Sequence, residues 1–176
     1  MTKIVRQLLD FARRRPPNRS NAELRDLAER AASLLSTLAR KSNVDVVVDV
    51  ESKPVRANVD AAQIEQAVTN LVINAVHAMP NGGTVTVATR NTLAAPPSSP
   101  SEQRECAVIE IKDEGEGISD DNLSRIFEPF FTTKSVGEGT GLGLSVTHGI
   151  IEDHEGWMTA TSELGKGSTF TLFLPV

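Results

Sequence analysis

From residue 20 to the C-terminus the apolar residues change period in a repeating order: one helical stretch, then two strand-like stretches, three times in succession. Leu24, Leu27, Ala31, Leu34, Leu35 and Leu38 recur at helical spacing, and Ser20 with Glu23 reads as a capping box ahead of them. "VDVVVDV" (44–50) is strand-like, and "PVRANVD" (54–60) reads as a short return strand. Asp60 is placed to cap a longer helix, "AAQIEQAVTNLVINAVHAM", closed by Pro80-Asn81-Gly82-Gly83. Strands at 84–90 and 105–113 flank a Pro- and Ser-rich excursion at 91–104, read as solvated and variable in form. The helix "GLSVTHGIIEDH" and the strands "WMTATSE" and "STFTLFLPV" complete the chain. Each element has one apolar side to cover, and this order lets helices lie along one face of a sheet. The expected fold is α+β: a two-layer sandwich whose mixed, largely antiparallel sheet of about five strands carries three helices on one face.

Composition excludes several classes. With 39% hydrophobic and 23% charged residues, the chain can bury an ordinary core. A net charge of −5 offers no general attraction to nucleic acid or to an anionic membrane. Cys106 is the one cysteine, so neither an internal disulfide nor a cysteine-rich zinc site is available, which suits a reducing compartment. No apolar run approaches about 18 residues and no signal peptide opens the chain, so the expected location is the cytoplasm. Before residue 20, "MTKIVRQLLDFARRR" sets Met1, Ile4, Leu8 and Phe11 along a helix seam, with Arg13 to Arg15 at its basic end and Pro16-Pro17 stopping it. The predicted organisation is therefore a helical stub (1–41) followed by one α+β domain (42–176).

Four stretches carry candidate chemistry. On the long helix, Gln66, Asn70, Asn74 and His77 follow one another at spacings that put them on one ridge, away from the apolar stripe Ile64, Val68, Leu71, Val72 and Ala75. Asparagine is a poor helix former, and amide oxygens suit a hard cation such as Mg²⁺; the same ridge also fits a face that simply meets water. "DEGEGIS" (113–119) follows a strand and presents Asp113 at its end, where a carboxylate accepts from an amino group such as an adenine's, or merely starts an acidic turn. A long loop stretch at 126–145 contains Phe127, Phe130 and Phe131, and long loops in compact domains are commonly lids or binding loops. It ends in "GEGTGLGLSVTHG" (137–149), a glycine run feeding a helix, which serves either as a phosphate cradle or as a mobile turn. Other templates fail. Ala160 stands where a P-loop needs glycine, leucines stand at the third glycine of G-x-G-x-x-G, and His148 and His154 share no face for a metal.

Taken in order, these stretches resemble the ATP-binding catalytic domain of sensor histidine kinases, within the superfamily that includes gyrase, Hsp90 and MutL. "NLVINAVHAM" resembles the N box, "DEGEGI" the first glycine box, "IFEPFFTTK" the F box, "GEGTGLGLS" the second glycine box and "GKGSTF" the last. The resemblance covers about residues 42 to 176. It implies that Asn74 coordinates Mg²⁺ with Asn70 beside it, and that His77 and Ala78 lie near the nucleotide. Asp113 would accept from the adenine amino group, with Gly115, Gly117 and Ile118 shaping that pocket and Ser168 helping through water. Phe127, Thr133 and Lys134, with the backbone of Gly139, Thr140, Gly141, Leu142, Gly143 and Leu144, would close over the phosphates. Asn70, Asn74 and Lys134 are the implied catalytic residues, ATP and Mg²⁺ the implied cofactors.

Two departures matter. Hydrolysing members of the superfamily carry a water-activating glutamate one turn before the Mg²⁺ asparagine, where this chain has Asn70, an amide that takes no proton near neutral pH. That points to ATP held for transfer rather than hydrolysis. Phosphoryl transfer needs positioning and charge neutralisation more than a strong base. None of His77, His148 and His154 lies in an H-E-x-x-x-P-like context, so the acceptor histidine is expected on a dimerisation domain upstream or in trans, with a response regulator served indirectly. Two alternatives are a nucleotide-gated binding module without transfer and an anti-sigma-type serine kinase. The latter is disfavoured by Asn70 and by the helical stub. Glu155, where relatives usually have the first of two glycines, is expected to weaken the cap of the preceding helix.

Overall fold

The computed structural model describes residues 15–51, 53–134 and 139–176, with Val50 described for its backbone alone. The N-terminal seam from Met1 to Phe11 and the arginines 13 and 14 lie outside the described residues, as do positions 135–138 of the long loop. The elements are β1 (Ser20–Glu23), α1 (Leu24–Lys41), β2 (Val44–Val50), β3 (Arg56–Val59), α2 (Ala61–His77), β4 (Gly83–Ala94), β5 (Arg104–Asp113), α3 (Asp120–Leu123), α4 (Gly143–Asp153), β6 (Trp157–Glu163) and β7 (Gly167–Pro175). β2, β4, β5, β7 and β6 form one sheet in that order, parallel at β2–β4 and antiparallel elsewhere. The expected five-stranded α+β sandwich is present, with α1, α2 and α4 as its helical layer and α3 as a short extra turn. No helix among the described residues is long and apolar enough to cross a membrane.

The central helix forms as its residues require. Asp60 accepts hydrogen bonds from the backbone N–H of Ala62 and Gln63, and Ile64, Val68, Leu71, Val72 and Ala75 are all buried. Val85 and Val87 of β4, Ile109 and Ile111 of β5, and Leu172 and Leu174 of β7 face the same core, each at period two.

Four expectations are corrected. Ser20 and Glu23 form no capping box: they lie in β1, which pairs antiparallel with β3 from Ser20↔Val59 to Glu23↔Arg56. That pairing holds the chain extended up to Glu23, and Leu24 N–H, at the start of α1, donates to Val55 O at 2.9 Å. For the same reason 56–59 is no return strand in the main sheet. The 91–104 excursion is shorter than expected, because β4 runs on to Ala94 against Arg104. Leu34 is 67% exposed, whereas Leu24, Leu27, Ala28, Ala31, Leu35 and Ala39 are buried in the same core as the sheet, so α1 is a layer of the sandwich rather than part of a separate stub.

Candidate nucleotide site

Asp113 ends β5 between two backbone donors. Its Oδ1 accepts from Gly115 N–H at 2.9 Å and from Ser168 N–H at 3.2 Å, and among the described residues its Oδ2 accepts from none. The residue is 3% exposed. Burial pushes its carboxyl above the ordinary carboxylate range, and the two N–H donors offset part of that shift. A buried carboxylate with an open oxygen is poised to accept from a ligand N–H.

The walls of this seat are backbone. Glu116 N–H donates to Ala78 O at 3.0 Å, tying the glycine turn to the end of α2. A Cβ on Gly115 would lie 2.6 Å from that same carbonyl. Ile118 N–H donates to Ser162 Oγ at 2.7 Å, and Ser162 Oγ donates to Gly167 O at 2.9 Å and lies 3.0 Å from Ser168 Oγ. Gly165 N–H donates to Glu116 O at 2.8 Å, so the β6–β7 hairpin closes the side of the turn that carries Gly117. Gly167 is glycine for a steric reason: its φ is +105°, and a Cβ there would fall 2.0 Å from Asp113 O. Ser162 was missed in the sequence. Its signal is a polar residue at the end of β6 in register with Met158 and Ala160, where alternation calls for an apolar one.

A second group of predicted residues gathers along α2. Asn70 and Asn74 are half-buried, and Gln66 and His77 are exposed. Asn70 Nδ2 lies 3.5 Å from Thr147 Oγ1 on α4, and a Cβ on Gly143, the first residue of α4, would be 4.0 Å from Asn74 Nδ2. The N-terminus of α4 therefore abuts the asparagine ridge. Its N-cap, Leu142, is buried and supplies no side-chain cap, while Ser145 Oγ donates to Leu142 O at 3.0 Å. The uncapped N–H groups of the first turn, with the positive end of the helix dipole, make an anion-favouring surface beside two amides suited to a hard cation. Lys134 Nζ lies 3.1 Å from His77 Nδ1, so the long loop delivers a cation to the same ridge.

The long loop is pinned at its base. Phe130 N–H donates to Gly141 O at 2.9 Å, and a Cβ on Gly139 would lie 2.5 Å from Thr132 Oγ1. Leu142 N–H meets Thr140 Oγ1 at 3.5 Å, Leu144 is packed on the core, and Thr133 is exposed beside Lys134. Phe127 and Phe131 pack on the core, with Phe131 under the Arg125 guanidinium at 4.6 Å, whereas Phe130 is 61% exposed. Phe127 faces His148 of α4 at 5.3 Å between ring centroids. His154, read as an ordinary helix residue, is buried and structural: its Nε2 accepts from Asp60 N–H at 2.9 Å and its Nδ1 donates to Ile150 O at 2.7 Å.

An α+β sandwich that sets a buried carboxylate at one end of a cleft, and amides, a lysine and an uncapped helix N-terminus at the other, defines a nucleotide-binding domain. Residues 59–176 match the family described as histidine kinase-, DNA gyrase B-, and HSP90-like ATPase, and the chain belongs to that family. It is 44% identical over 180 residues to the sensor kinase CckA of Brucella abortus (strain 2308), covering 98% of this chain and 18% of that protein. It is 33% identical to sporulation kinase C of Bacillus subtilis (strain 168), covering 98% of this chain and 38% of that protein. The chain thus spans well under half the length of these curated relatives. The catalytic domain of histidine kinase ThkA, solved free of nucleotide, superposes with a TM-score of 0.73 at 27% identity, over 90% of this chain and 95% of that one. The chain is accordingly an ATP-binding catalytic domain of the sensor histidine kinase type.

Proposed function

We propose that this domain binds Mg-ATP and donates its γ-phosphate to a histidine on a dimerisation domain, as the catalytic part of a cytoplasmic two-component system that serves a response regulator indirectly. The adenine amino group would donate to Asp113 Oδ2. The triphosphate would run toward Lys134, His77 and the N–H groups at the start of α4. Asn74 and Asn70 would hold Mg²⁺, which offsets charge on the phosphate oxygens. In the reaction the bond between the γ-phosphorus and its bridging oxygen breaks, a P–N bond to the acceptor imidazole forms, and ADP leaves.

The observation that carries transfer over hydrolysis is Asn70. One turn before Asn74 on the ridge stands an amide, 3.5 Å from Thr147 Oγ1, where activation of water requires a base. On α2 the lone carboxylate is Glu65, and it is paired with Arg30 at 2.9 Å. The test supplies γ-labelled ATP, Mg²⁺ and a separate dimerisation domain bearing the acceptor histidine. Label should move to the acceptor while the isolated chain hydrolyses ATP slowly. Rapid hydrolysis without an acceptor overturns the proposal, and tight binding with no transfer to any acceptor supports a nucleotide-gated module instead.

A further inference from the structure

The described chain enters the sandwich through residues 15–19, and this connector is fastened at four points. Gln63 Nε2 donates to Arg15 O at 3.2 Å, and Asn18 N–H donates to Asp60 Oδ2 at 2.9 Å. Arg19 reaches the far end of α4, where its guanidinium donates to Glu155 Oε1 at 2.8 Å and to Asp153 O at 2.7 Å.

Glu155 is the unusual partner. α4 closes in a complete Schellman motif, with Glu155 N–H donating to Glu152 O at 2.8 Å and Gly156 N–H to Ile151 O at 3.0 Å. The motif sets Glu155 at φ +59°, a conformation that glycine adopts freely and a residue with a Cβ does not. The cap expected to be weakened is fully formed, but with strain that capping itself does not call for. Backbone strain of this kind is retained where the side chain has another task. The Glu155 carboxylate meets Arg19, and the Glu155 carbonyl accepts from Arg104 at 2.8 Å, whose guanidinium lies 5.0 Å from the Trp157 ring centroid. Glu155 is thus braced from the sheet while its side chain grips the connector.

We infer that Arg19 and Glu155 form a latch that fixes the connector on the end of α4. The opposite end of this helix, about 16 Å away, abuts Asn74. Arg15, the first described residue, is therefore held at a set position relative to that end of α4, which under the proposed function is where an acceptor must be delivered. The latch itself does not depend on that function, and hydrogen exchange reads it without nucleotide.

The test measures hydrogen exchange of the Asn18 amide in the full chain, for Arg19→Gln, Glu155→Gly, the double variant and the charge-swapped pair Arg19→Glu with Glu155→Arg. Each single variant should lower Asn18 protection about two- to fivefold, the range of an exposed ion pair. The double variant should lower it no further, and the swap should restore it in part. Glu155→Gly should meanwhile raise the midpoint of thermal unfolding, since it relieves the strain, and should leave ATP affinity unchanged. Unchanged Asn18 protection in Glu155→Gly, or additive losses in the double variant, would overturn the latch.

Discussion

Two glycines of one hairpin separate backbone strain from steric conflict. Gly165 has φ +76° and open space around it, with nothing within 4 Å of where a Cβ would sit; Gly167 has φ +105° and would carry its Cβ 2.0 Å from Asp113 O and 2.8 Å from Asp113 C. Alanine at a left-handed position costs about 1–2 kcal/mol, and that is the whole expected effect at 165. At 167 the obstacle is backbone, which cannot rotate away, so overpacking adds about 1–3 kcal/mol. For a chain of this size 1 kcal/mol shifts Tm by about 2–4 °C. Gly165→Ala should therefore lower Tm by about 2–8 °C, and Gly167→Ala by about 4–20 °C. The binding readout separates them further. Ser168 N–H, the next donor along β7, holds Asp113 Oδ1 at 3.2 Å, so displacing Gly167 disturbs the adenine seat directly. Titration with a fluorescent ATP analogue should find Gly165→Ala unchanged and Gly167→Ala weakened about tenfold or more, the loss of one hydrogen bond to a charged group. Equal Tm shifts with equal affinities would refute the claim that Gly167 exists to let β7 pass Asp113.

Three further outcomes follow from single contacts. Asp113→Asn keeps an acceptor for Gly115 and Ser168 but turns an amide N–H toward the ligand donor, and should weaken ATP binding about 10- to 150-fold by calorimetry. Because burial raises the folded pKa of Asp113 above the unfolded value of 3.8, its contribution to stability is full below 3.8 and is lost as pH rises through the folded value. The ligand-free Asp113→Asn variant should therefore gain stability relative to the parent as pH rises through that window, measured by denaturant unfolding. Asp60→Ala removes the cap of α2 and the Asn18 tether together, and should cost about 1–2 kcal/mol in the same assay. Thr89 Oγ1 is buried without a hydrogen-bond partner among the described residues, so Thr89→Val should stabilise the protein by about 1 kcal/mol and raise Tm by about 2–4 °C.

What was legible in the sequence is what local physics decides. The α2 stripe, its Asp60 cap and the strands β6 and β7 each depend on residues within a few positions of one another, and each formed as read. Ser20 and Glu23 carry a capping signal that is equally local, yet pairing with Arg56–Val59, far along the chain, holds that backbone extended. Strand order is non-local in the same way: nothing in "VDVVVDV" announces that β2 pairs parallel with β4 at the sheet edge. The site divides similarly. Asn70, Asn74 and Asp113 were singled out by residue type and position, and their expected roles came from the ordered boxes that resemble the family. Ser162 carried only a weak mark, a polar residue out of alternation on β6, and the Ala78 carbonyl is a backbone atom that no side-chain pattern marks.

The two ends of the cleft are held by different forces, and this bears on how a nucleotide is kept. Asp113, Gly115 and Ser168 are set by β5 and β7, whose neighbours Ile111 and Phe170 are buried, and the carboxylate is already seated before any ligand arrives. This end therefore needs little rearrangement, and its main requirement is a ligand donor that satisfies a buried acceptor. At the other end Lys134 is exposed, and its loop is held by Phe130 to Gly141, by Thr132 beside Gly139, and by Lys134 Nζ at 3.1 Å from His77 Nδ1. Under the proposed function, affinity would be decided largely at the Asp113 floor, and the fate of the γ-phosphate by how Lys134 and the start of α4 meet it.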